Sequence, residues 1–336
     1  MVMIETSGGL GLGGPELQDV LHAAALAPSL HNSQPWRFRV TADGIELHAD
    51  PERRPRVADP SGREMRLACG AALFNLRLAL TGHGVRPLVT VLPNPLEPDL
   101  VAVVRRGGGR PPTPAERRLL AAMPHRHTNR RPFTADPVAN PARHALRRAA
   151  LDEGAWLDLV TDPATRAALS HLARRAHERQ IADPGFVAEL ERWTARERGH
   201  ADGVPLSAAG PVPWPNAAWV MRDFSAGSGP DHGYEADPLI AVLSVHGDGL
   251  HEEIRAGQAM QRVLLTATAH GLATSFLSQL VEVPDVREHM RRLISGARPP
   301  QVVLRIGHGW PVPGTPRRPL SELLVDADDP TREDPS

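Results

Sequence analysis

The sequence predicts an α+β fold built from two halves that repeat one arrangement of helices and strands. Helical and strand-like hydrophobic periodicities alternate along the 336 residues, with spacings that suit both antiparallel neighbours and crossover connections. Two long apolar stretches share a glycine, an alanine and a terminal His-Gly pair, each 187 residues apart. The matched residues are Gly70, Ala72, His83 and Gly84 in the first stretch and Gly257, Ala259, His270 and Gly271 in the second. This agreement favours an internal duplication.

The elements of the first half can be predicted in order. A helix over residues 16–27 has apolar residues at a spacing near 3.6, and Pro28 ends it because the residue before a proline avoids the helical region. A strand follows at 36–40. The first copy of the repeated helix is followed by strand-like runs at 88–92 and 101–104.

The second half begins with a capped helix. Thr113 is the predicted N-cap, Pro114 the first helical residue and Glu116 the partner in a capping box. The next predicted elements are helix 141–149, strand 156–160, helix 163–181, an irregular insert over 185–234, strand 239–245, the second repeated helix and strand 301–306. We therefore predict a first half over 1–110, a second half over 111–325 and a mobile acidic tail over 326–336.

Composition excludes several functional classes. A formal charge of −1 and a pI near 7.0 give no strong field toward nucleic acid or an anionic membrane. No run of 18 apolar residues occurs, and the first 15 residues lack the features of a signal peptide. Cys69 is the single cysteine, which we interpret as a buried structural thiol. These features favour a cytoplasmic location.

A polar loop follows the first predicted helix. Within six residues it offers a hydroxyl, an imidazole and two carboxamides, a density of donors and acceptors that suits a polar-edged heteroaromatic ligand such as a flavin. The residues are Ser29, His31, Asn32 and Gln34, with Pro28 at the start of the loop. A simpler interpretation is that Ser29 and Asn32 only cap a turn.

The same segment carries a family resemblance. The string from Ala27 to Phe38 resembles the Ala-Pro-Ser, Asn and Gln-Pro-Trp signature of the nitroreductase superfamily of FMN proteins, and its His-Asn-Ser-Gln-Pro-Trp form is similar to the Acg-type branch. Nitroreductases are obligate dimers of an α+β unit with FMN at the interface. The resemblance, over about residues 16–320, implies two nitroreductase-like halves fused into an intramolecular pseudo-dimer. Whether the chain is monomeric or forms a further homodimer stays open.

A second motif offers positive charge for the FMN phosphate. Arg126, Thr128 and Arg130 alternate, so an extended segment would point all three to one side. The pattern resembles the Arg-x-Ser-x-Arg motif that opens the nitroreductase unit and binds the phosphate, with Thr128 at the serine position. Solvated arginines are the alternative interpretation.

The segment 315–319 resembles the C-terminal basic phosphate ligands of the family through Arg317 and Arg318, although an ordinary basic tail would have the same composition. The arginine motif opens the second half only, whereas the polar loop belongs to the first. If the halves pair as nitroreductase subunits do, these two features meet at one site. We therefore predict one FMN per chain.

The chain departs from the family pattern near the flavin N5 edge. Counting from Gly271 places Ser278 and Gln279, with Leu280 adjoining, where nitroreductases have a Glu-Gly pair. The insert holds Trp193, Trp214 and Trp219, and we interpret it as a lid over the flavin ring. The missing pair places ordinary hydride transfer in question.

These patterns predict an FMN-dependent oxidoreductase that passes hydride or electrons at N5 to or from a small substrate. Its catalytic residues are unassigned, and NAD(P)H or another small molecule is the open partner. The alternatives are an FMN storage protein and an enzyme that consumes FMN itself. A metal site has no support, because His125 and His127 lack accompanying ligands. Gly9, Gly11 and Gly14 follow no strand, which excludes a Rossmann turn, and no nucleophile elbow supports a hydrolase.

Overall fold

The computed structural model describes residues 9–194, 200–212, 217–225 and 237–325. The predicted tail over 326–336 and Trp214 lie outside these ranges. Within them, the α-helices in chain order are α1 Gly14–Ala25, α2 Arg63–Gly82, α3 Pro114–Ala122, α4 Asn140–Asp152, α5 Pro163–Ile181, α6 Pro184–Trp193, α7 Leu206–Ala209, α8 Leu250–Ala269, α9 Gln279–Glu282, α10 Pro284–Met290 and α11 Leu320–Leu323. The strands are β1 Trp36–Val40, β2 Gly44–Ala49, β3 Val85–Val91, β4 Leu100–Gly109, β5 Trp156–Val160, β6 Leu239–Ser244, β7 Ala273–Phe276 and β8 Pro300–Gly307.

Two antiparallel sheets have the same topology. The first has the strand order β1-β2-β4-β3 and the second has the order β5-β6-β8-β7. In each half a helix precedes the first strand, α1 or α4, and a long helix joins the second strand to the third, α2 or α8. The α+β prediction and its repeated arrangement are confirmed.

The two repeated helices have the same length, and they begin and end at corresponding residues. Both α2 and α8 have 20 residues, and their bounds are displaced by the predicted offset. His83 and His270 are their C-caps. The glycines that follow, Gly84 and Gly271, have φ angles of +77° and +70°, a conformation that favours glycine and ends a helix cleanly.

The two long helices meet backbone to backbone. A Cβ added to Gly70 would lie 2.2 Å from the carbonyl oxygen of Ile254, and one added to Gly257 would lie 2.1 Å from that of Leu67. Leu67 and Ile254 are themselves related by the repeat, so the contact has nearly two-fold symmetry. Only glycine permits so close an approach, which explains why both copies have it.

One hydrophobic core serves both halves. A single cluster of buried residues joins Leu17 and Trp36 of the first half to Leu264 and Leu304 of the second. Long helices that share a core hold the two sheets in fixed relative positions. The proposed boundary between residues 110 and 111 stays a prediction. Within the described ranges, no helix combines the length and apolar character that crossing a membrane requires.

The insert differs from its prediction. The irregular structure predicted for 185–234 is wrong where α6 and α7 form, and α6 has a recognisable start. Pro184 is its first residue, and the Asp183 carboxylate accepts a hydrogen bond of 2.8 Å from the backbone N–H of Gly185. The short strands β2 and β7 were not predicted. Cys69 is buried and free, as expected.

We expect Gly70→Ala to lower the free energy of unfolding by about 2–3 kcal/mol, because separating two backbones costs more than the roughly 1 kcal/mol that alanine adds in helix propensity. Gly82→Ala in the same helix is the control. Its Cβ would meet only the end of the Leu120 side chain, at 3.2 Å. Urea unfolding followed by circular dichroism measures both variants, and equal stability of the two would contradict the role of the glycine contact.

Candidate functional site

A cleft of about 680 Å³, counting its open mouth, lies between the two halves. Five parts of the chain line it: the loop after α1, the start of α2, the extended segment before α4, the insert, and the region around α8, β7 and α9. The lining residues are Pro28, Ser29, Leu30, His31, Glu64, Leu67, Ala68, Thr128, Arg130, Met221, Arg222, Phe224, Met260, Ser275, Phe276, Ser278 and Gln279.

The polar loop, residues 28–35, has a strained backbone. His31, Asn32 and Gln34 have φ angles of +53°, +58° and +52°, a left-handed conformation that is uncommon for residues other than glycine. Hydrogen bonds hold it. The Ser29 Oγ accepts from the backbone N–H of Gln34 at 2.9 Å, and Arg53 donates to the Ser33 carbonyl at 2.7 Å. The loop is therefore fixed by its surroundings.

Asn32 and Gln34 do not line the cleft. The Asn32 amide donates to the carbonyls of Gly203 and Pro316 at 3.0 and 3.1 Å. The Gln34 amide donates to a carbonyl of the insert at 2.8 Å, and its oxygen accepts from the backbone N–H of Arg318 at 2.9 Å. Both side chains hold the polar loop against the insert and the C-terminal segment.

His31 presents an unpaired imidazole to the cleft. Its side chain is buried, and neither ring nitrogen has a hydrogen-bond partner among the described residues. Its ring makes an edge contact with Phe224, with centroids 5.9 Å apart. Burial lowers the pKa of His31 well below its usual value, and Arg222 and Arg130 lower it further. A neutral imidazole has one donor and one acceptor for a ligand.

Three arginines lie close together, and one of them, Arg130, lines the cleft, whereas Arg126 and Arg317 do not. Arg126 and Arg317 both donate to the Leu26 carbonyl, at 3.4 and 3.2 Å, while Arg130 lies on the cleft wall. Burial lowers the pKa of Arg126 to about 9, with repulsion from the other two arginines adding to the shift. Burial likewise lowers the pKa of Arg130 and of Arg317 to about 10. All three remain charged at neutral pH.

None of these three guanidinium groups has a carboxylate partner within the part of the chain that the structure describes. The Nε and Nη1 atoms of Arg126 and the Nε of Arg317 are buried without hydrogen-bond partners there. Arg130 donates to the Ala208 carbonyl at 2.9 Å and stacks on Phe224, 4.5 Å from the ring centre. Buried positive charge without a counter-ion is costly, so this arrangement favours an anionic ligand.

Arg318 and Leu280 are not brought to the cleft. Arg318 pairs with Glu322 at 3.2 Å and lies 3.9 Å from Asp50, so carboxylates already balance its charge. Leu280 is fully buried in the core of the second half, with Met290 among its cluster. Their predicted contacts with a cofactor find no geometric support.

The extended segment before α4 adds to the edge of the second sheet. Thr128 bridges to Thr274, and the backbone N–H of Asn129 donates to the Thr274 carbonyl at 2.8 Å. Thr128 and Arg130 face the cleft, as the predicted alternation requires, whereas the Asn129 side chain donates elsewhere, to the Trp310 carbonyl. The edge strand β7 thus positions this part of the site.

The insert forms a wall of the cleft and is attached to α9. Met221, Arg222 and Phe224 line the cavity. Arg222 pairs with Glu282 at 2.5 Å, and the Gln279 amide donates to the Val220 carbonyl at 2.7 Å. Gln279 therefore lines the cleft while one N–H of its amide is bonded to the Val220 carbonyl.

Sequence patterns did not identify two polar residues of the cleft. Ser275 has a buried hydroxyl without a partner among the described residues, on a strand too short to predict. Glu64 lines the cleft from the first turn of α2. Burial raises the pKa of Glu64 to about 7 against the opposing charge of Arg63. No motif surrounds either residue, so only the fold could reveal them.

Comparison with known proteins places the chain in a family. No family model matches. Two proteins of Mycobacterium tuberculosis (strain ATCC 25618 / H37Rv) carry the name "Putative NAD(P)H nitroreductase". One, Rv3131, is 35% identical over 326 residues, 92% of this chain and 90% of its own length. The other, acg, is 30% identical over 316 residues, 92% of this chain and 95% of its own length.

The chain belongs to the Acg-type nitroreductase family. The resemblance carried by the polar loop is confirmed by these two relatives, which match along most of the chain. A crystal structure of a nitroreductase with bound FMN from Desulfitobacterium hafniense DCB-2 has a TM-score of 0.39 at 12% identity, covering 63% of this chain and 98% of that one. A TM-score at this level carries no argument about the site.

The neutral state of His31 predicts a pH dependence of stability. Its pKa is lower in the folded chain than in the unfolded one, so the unfolded state binds more protons below about pH 6.5 and stability falls as the pH decreases. Between pH 7.5 and 5.5, we expect the wild type to lose about 1 kcal/mol more unfolding free energy than His31→Gln.

Urea titrations at each pH measure this difference. His144→Gln, at an exposed position of α4, is the control and should follow the wild type. An identical pH dependence of wild type and His31→Gln would show that His31 does not titrate differently on unfolding.

Proposed function

We propose that the chain binds one FMN in this cleft and acts as an FMN-dependent oxidoreductase. The observation that carries the proposal is a group of three arginines without carboxylate partners among the described residues, one of them buried and two half-buried, close to a cleft of mixed polarity. Family membership supports it, since the relatives are named as NAD(P)H nitroreductases. The unpaired atoms of His31, Ser275 and Arg126 are the donors and acceptors that a polar cofactor needs.

Arg126, Arg130 and Arg317 would hold the phosphate. A phosphate monoester carries close to two negative charges at neutral pH and accepts several hydrogen bonds, which guanidinium groups donate with favourable geometry. Riboflavin lacks this group and would leave the buried charge unbalanced. The arginines therefore favour FMN over the dephosphorylated flavin.

The remaining walls suit the ring and the ribityl chain. Leu67, Met260 and Phe276 supply apolar surface, while Ser29 and His31 supply polar groups. FMN, when bound, supplies hydride or electron transfer at N5. The chain would orient the ring and exclude water from it. A donor to N5 would come from Ser278, from the second N–H of the Gln279 amide or from the backbone, since only one N–H of that amide is used by the Val220 carbonyl.

The repeat argues for a single flavin. The connection that follows α1 covers residues 26–35, whereas the corresponding connection after α4 covers only 153–155. Glu153 occupies that position and pairs with Arg77 at 2.8 Å and with Arg262 at 3.0 Å. A buried, ion-paired carboxylate is unsuited to a phosphate, which supports one FMN per chain.

The double variant Arg126→Ala, Arg130→Ala should lose FMN. Each charge-assisted hydrogen bond contributes about 1.5–3 kcal/mol, so removing both groups should weaken binding at least about 100-fold. Flavin fluorescence quenching on titration with FMN measures the affinity. Arg131→Ala, an exposed neighbour, is the control. Colourless wild type that takes up no added FMN would overturn the proposal.

A storage role is the second candidate. The insert supports it, because Met221, Arg222 and Phe224 lie on the cleft wall and two contacts attach the insert to α9. A closed insert would retain the flavin and keep substrates away. The predicted lid over the flavin ring remains part of this proposal.

Mixing the flavin-loaded protein with NADH or NADPH and a nitroaromatic compound distinguishes the two roles. An oxidoreductase should bleach the flavin absorbance and then turn over steadily, whereas a storage protein should retain oxidised flavin. We expect turnover, faster in Arg222→Ala if the ion pair with Glu282 restricts access. Loss of the flavin itself during aerobic reduction would instead indicate that FMN is consumed.

A further inference from the structure

We propose that Glu64 carries protons between an outer cleft and the cleft assigned to FMN. The inference rests on the proposed function, because it concerns the same site. It assigns a proton-transfer residue that neither the family motifs nor the sequence patterns indicate.

Glu64 lines two cavities. Its side chain is 16% exposed and lines the inner cleft together with Leu67 and Ala68 of the same helix. It also lines a second cleft of about 750 Å³, counting its open mouth, together with residues such as Asp248 and Arg287. A carboxyl group shared by two cavities can exchange protons with both.

Hydrogen bonding leaves one oxygen of Glu64 available. Arg63 donates to Oε1 at 2.6 Å, and the same guanidinium donates to the Gln301 carbonyl at 2.6 Å. Oε2 has no hydrogen-bond partner among the described residues. Oε1 is thus fixed by an arginine that is itself anchored, while Oε2 can accept and release a proton.

Charged groups of three parts of the chain act on the Glu64 carboxyl group. On its own helix, Arg63 favours the carboxylate, whereas Glu282 of α9 and Asp59 before α2 disfavour it. Arg222 offsets Glu282 through their ion pair. Burial outweighs Arg63 and raises the pKa of Glu64 to about 7.

The outer cleft holds further charges, of which Asp59 accepts a hydrogen bond of 2.9 Å from the backbone N–H of Met65 and two other carboxylates are paired with arginines. Asp248 pairs with Arg287 at 2.5 Å, and Glu288 pairs with Arg291 at 2.7 Å. These pairs leave Glu64 as a carboxyl on the shared wall that can change its protonation near neutral pH.

The proton balance of a flavin reaction requires such a group. A hydride from a reduced nicotinamide brings two electrons and one proton and leaves an oxidised nicotinamide. The negative charge that it would add to the inner cleft would raise the proton affinity of a nearby carboxylate, so Glu64 would take up a proton from the buffered solvent through the outer cleft. When the hydride passes to the acceptor, the Glu64 O–H bond breaks, the proton goes to the reduced acceptor and the carboxylate is restored.

Potentiometric titration of bound FMN from pH 5 to 9 tests this without measuring turnover. Proton uptake linked to reduction is read from the slope of the midpoint potential against pH. The wild type should take up as much as one additional proton per two electrons in a window that begins near pH 7 and extends upward, and Glu64→Gln should lose this window. Glu64→Asp should keep a window at a different pH.

Glu153→Gln is the matched control, since Glu153 is also a buried, arginine-paired carboxylate but does not line the cleft. It should show the wild-type slope. A slope unchanged in Glu64→Gln overturns the role of Glu64 while leaving FMN binding intact. If Glu64→Gln fails to fold, an unshifted window in Glu64→Asp overturns it. Wild type that binds no FMN overturns the proposed function itself.

Discussion

The contact between Gly70 and Gly257 is the constraint on which the rest of the molecule depends. It brings the two long helices to backbone distance, and each helix joins the second and third strands of its own sheet. The positions of both sheets follow from this crossing. The cleft lies where the start of α2 faces Met260 of α8 and Ser275 of β7. A wider helix separation would move these walls apart.

In and beside the cleft, several charged and polar side chains have no ionic or hydrogen-bond partner among the described residues. Three cations, one buried and two half-buried, lack carboxylate partners in the described ranges, and a buried imidazole lacks hydrogen bonds there. Folded chains rarely retain such groups without a ligand or ordered water. Elsewhere in the same protein, arginines such as Arg77 and Arg318 are paired with carboxylates. An anionic cofactor would balance the positive charge beside the cleft.

The sequence was sufficient to predict the repeat and two of the segments that line the cleft. The His-Gly termini identified α2 and α8 because helix ends have strong local signals. Thr128 and Arg130 followed from alternation in an extended segment. Local patterns could not separate Asn32 and Gln34, which hold the loop, from Ser29 and His31, which line the cleft. That distinction depends on contacts with residues nearly 300 positions away along the chain. Glu64 lines the cleft, but no sequence motif indicates it.

The strained polar loop also bears on how the protein is made. Its left-handed residues are held by carbonyls of the insert and of the C-terminal segment, and 284 positions separate Asn32 from Pro316. Contacts of such separation form late, because the entropy of closing a long chain must be overcome first. During synthesis from the N-terminus, the loop emerges long before the residues that hold it. The surface of the cleft would therefore mature only after the residues around Gly203 and Pro316 have been synthesised.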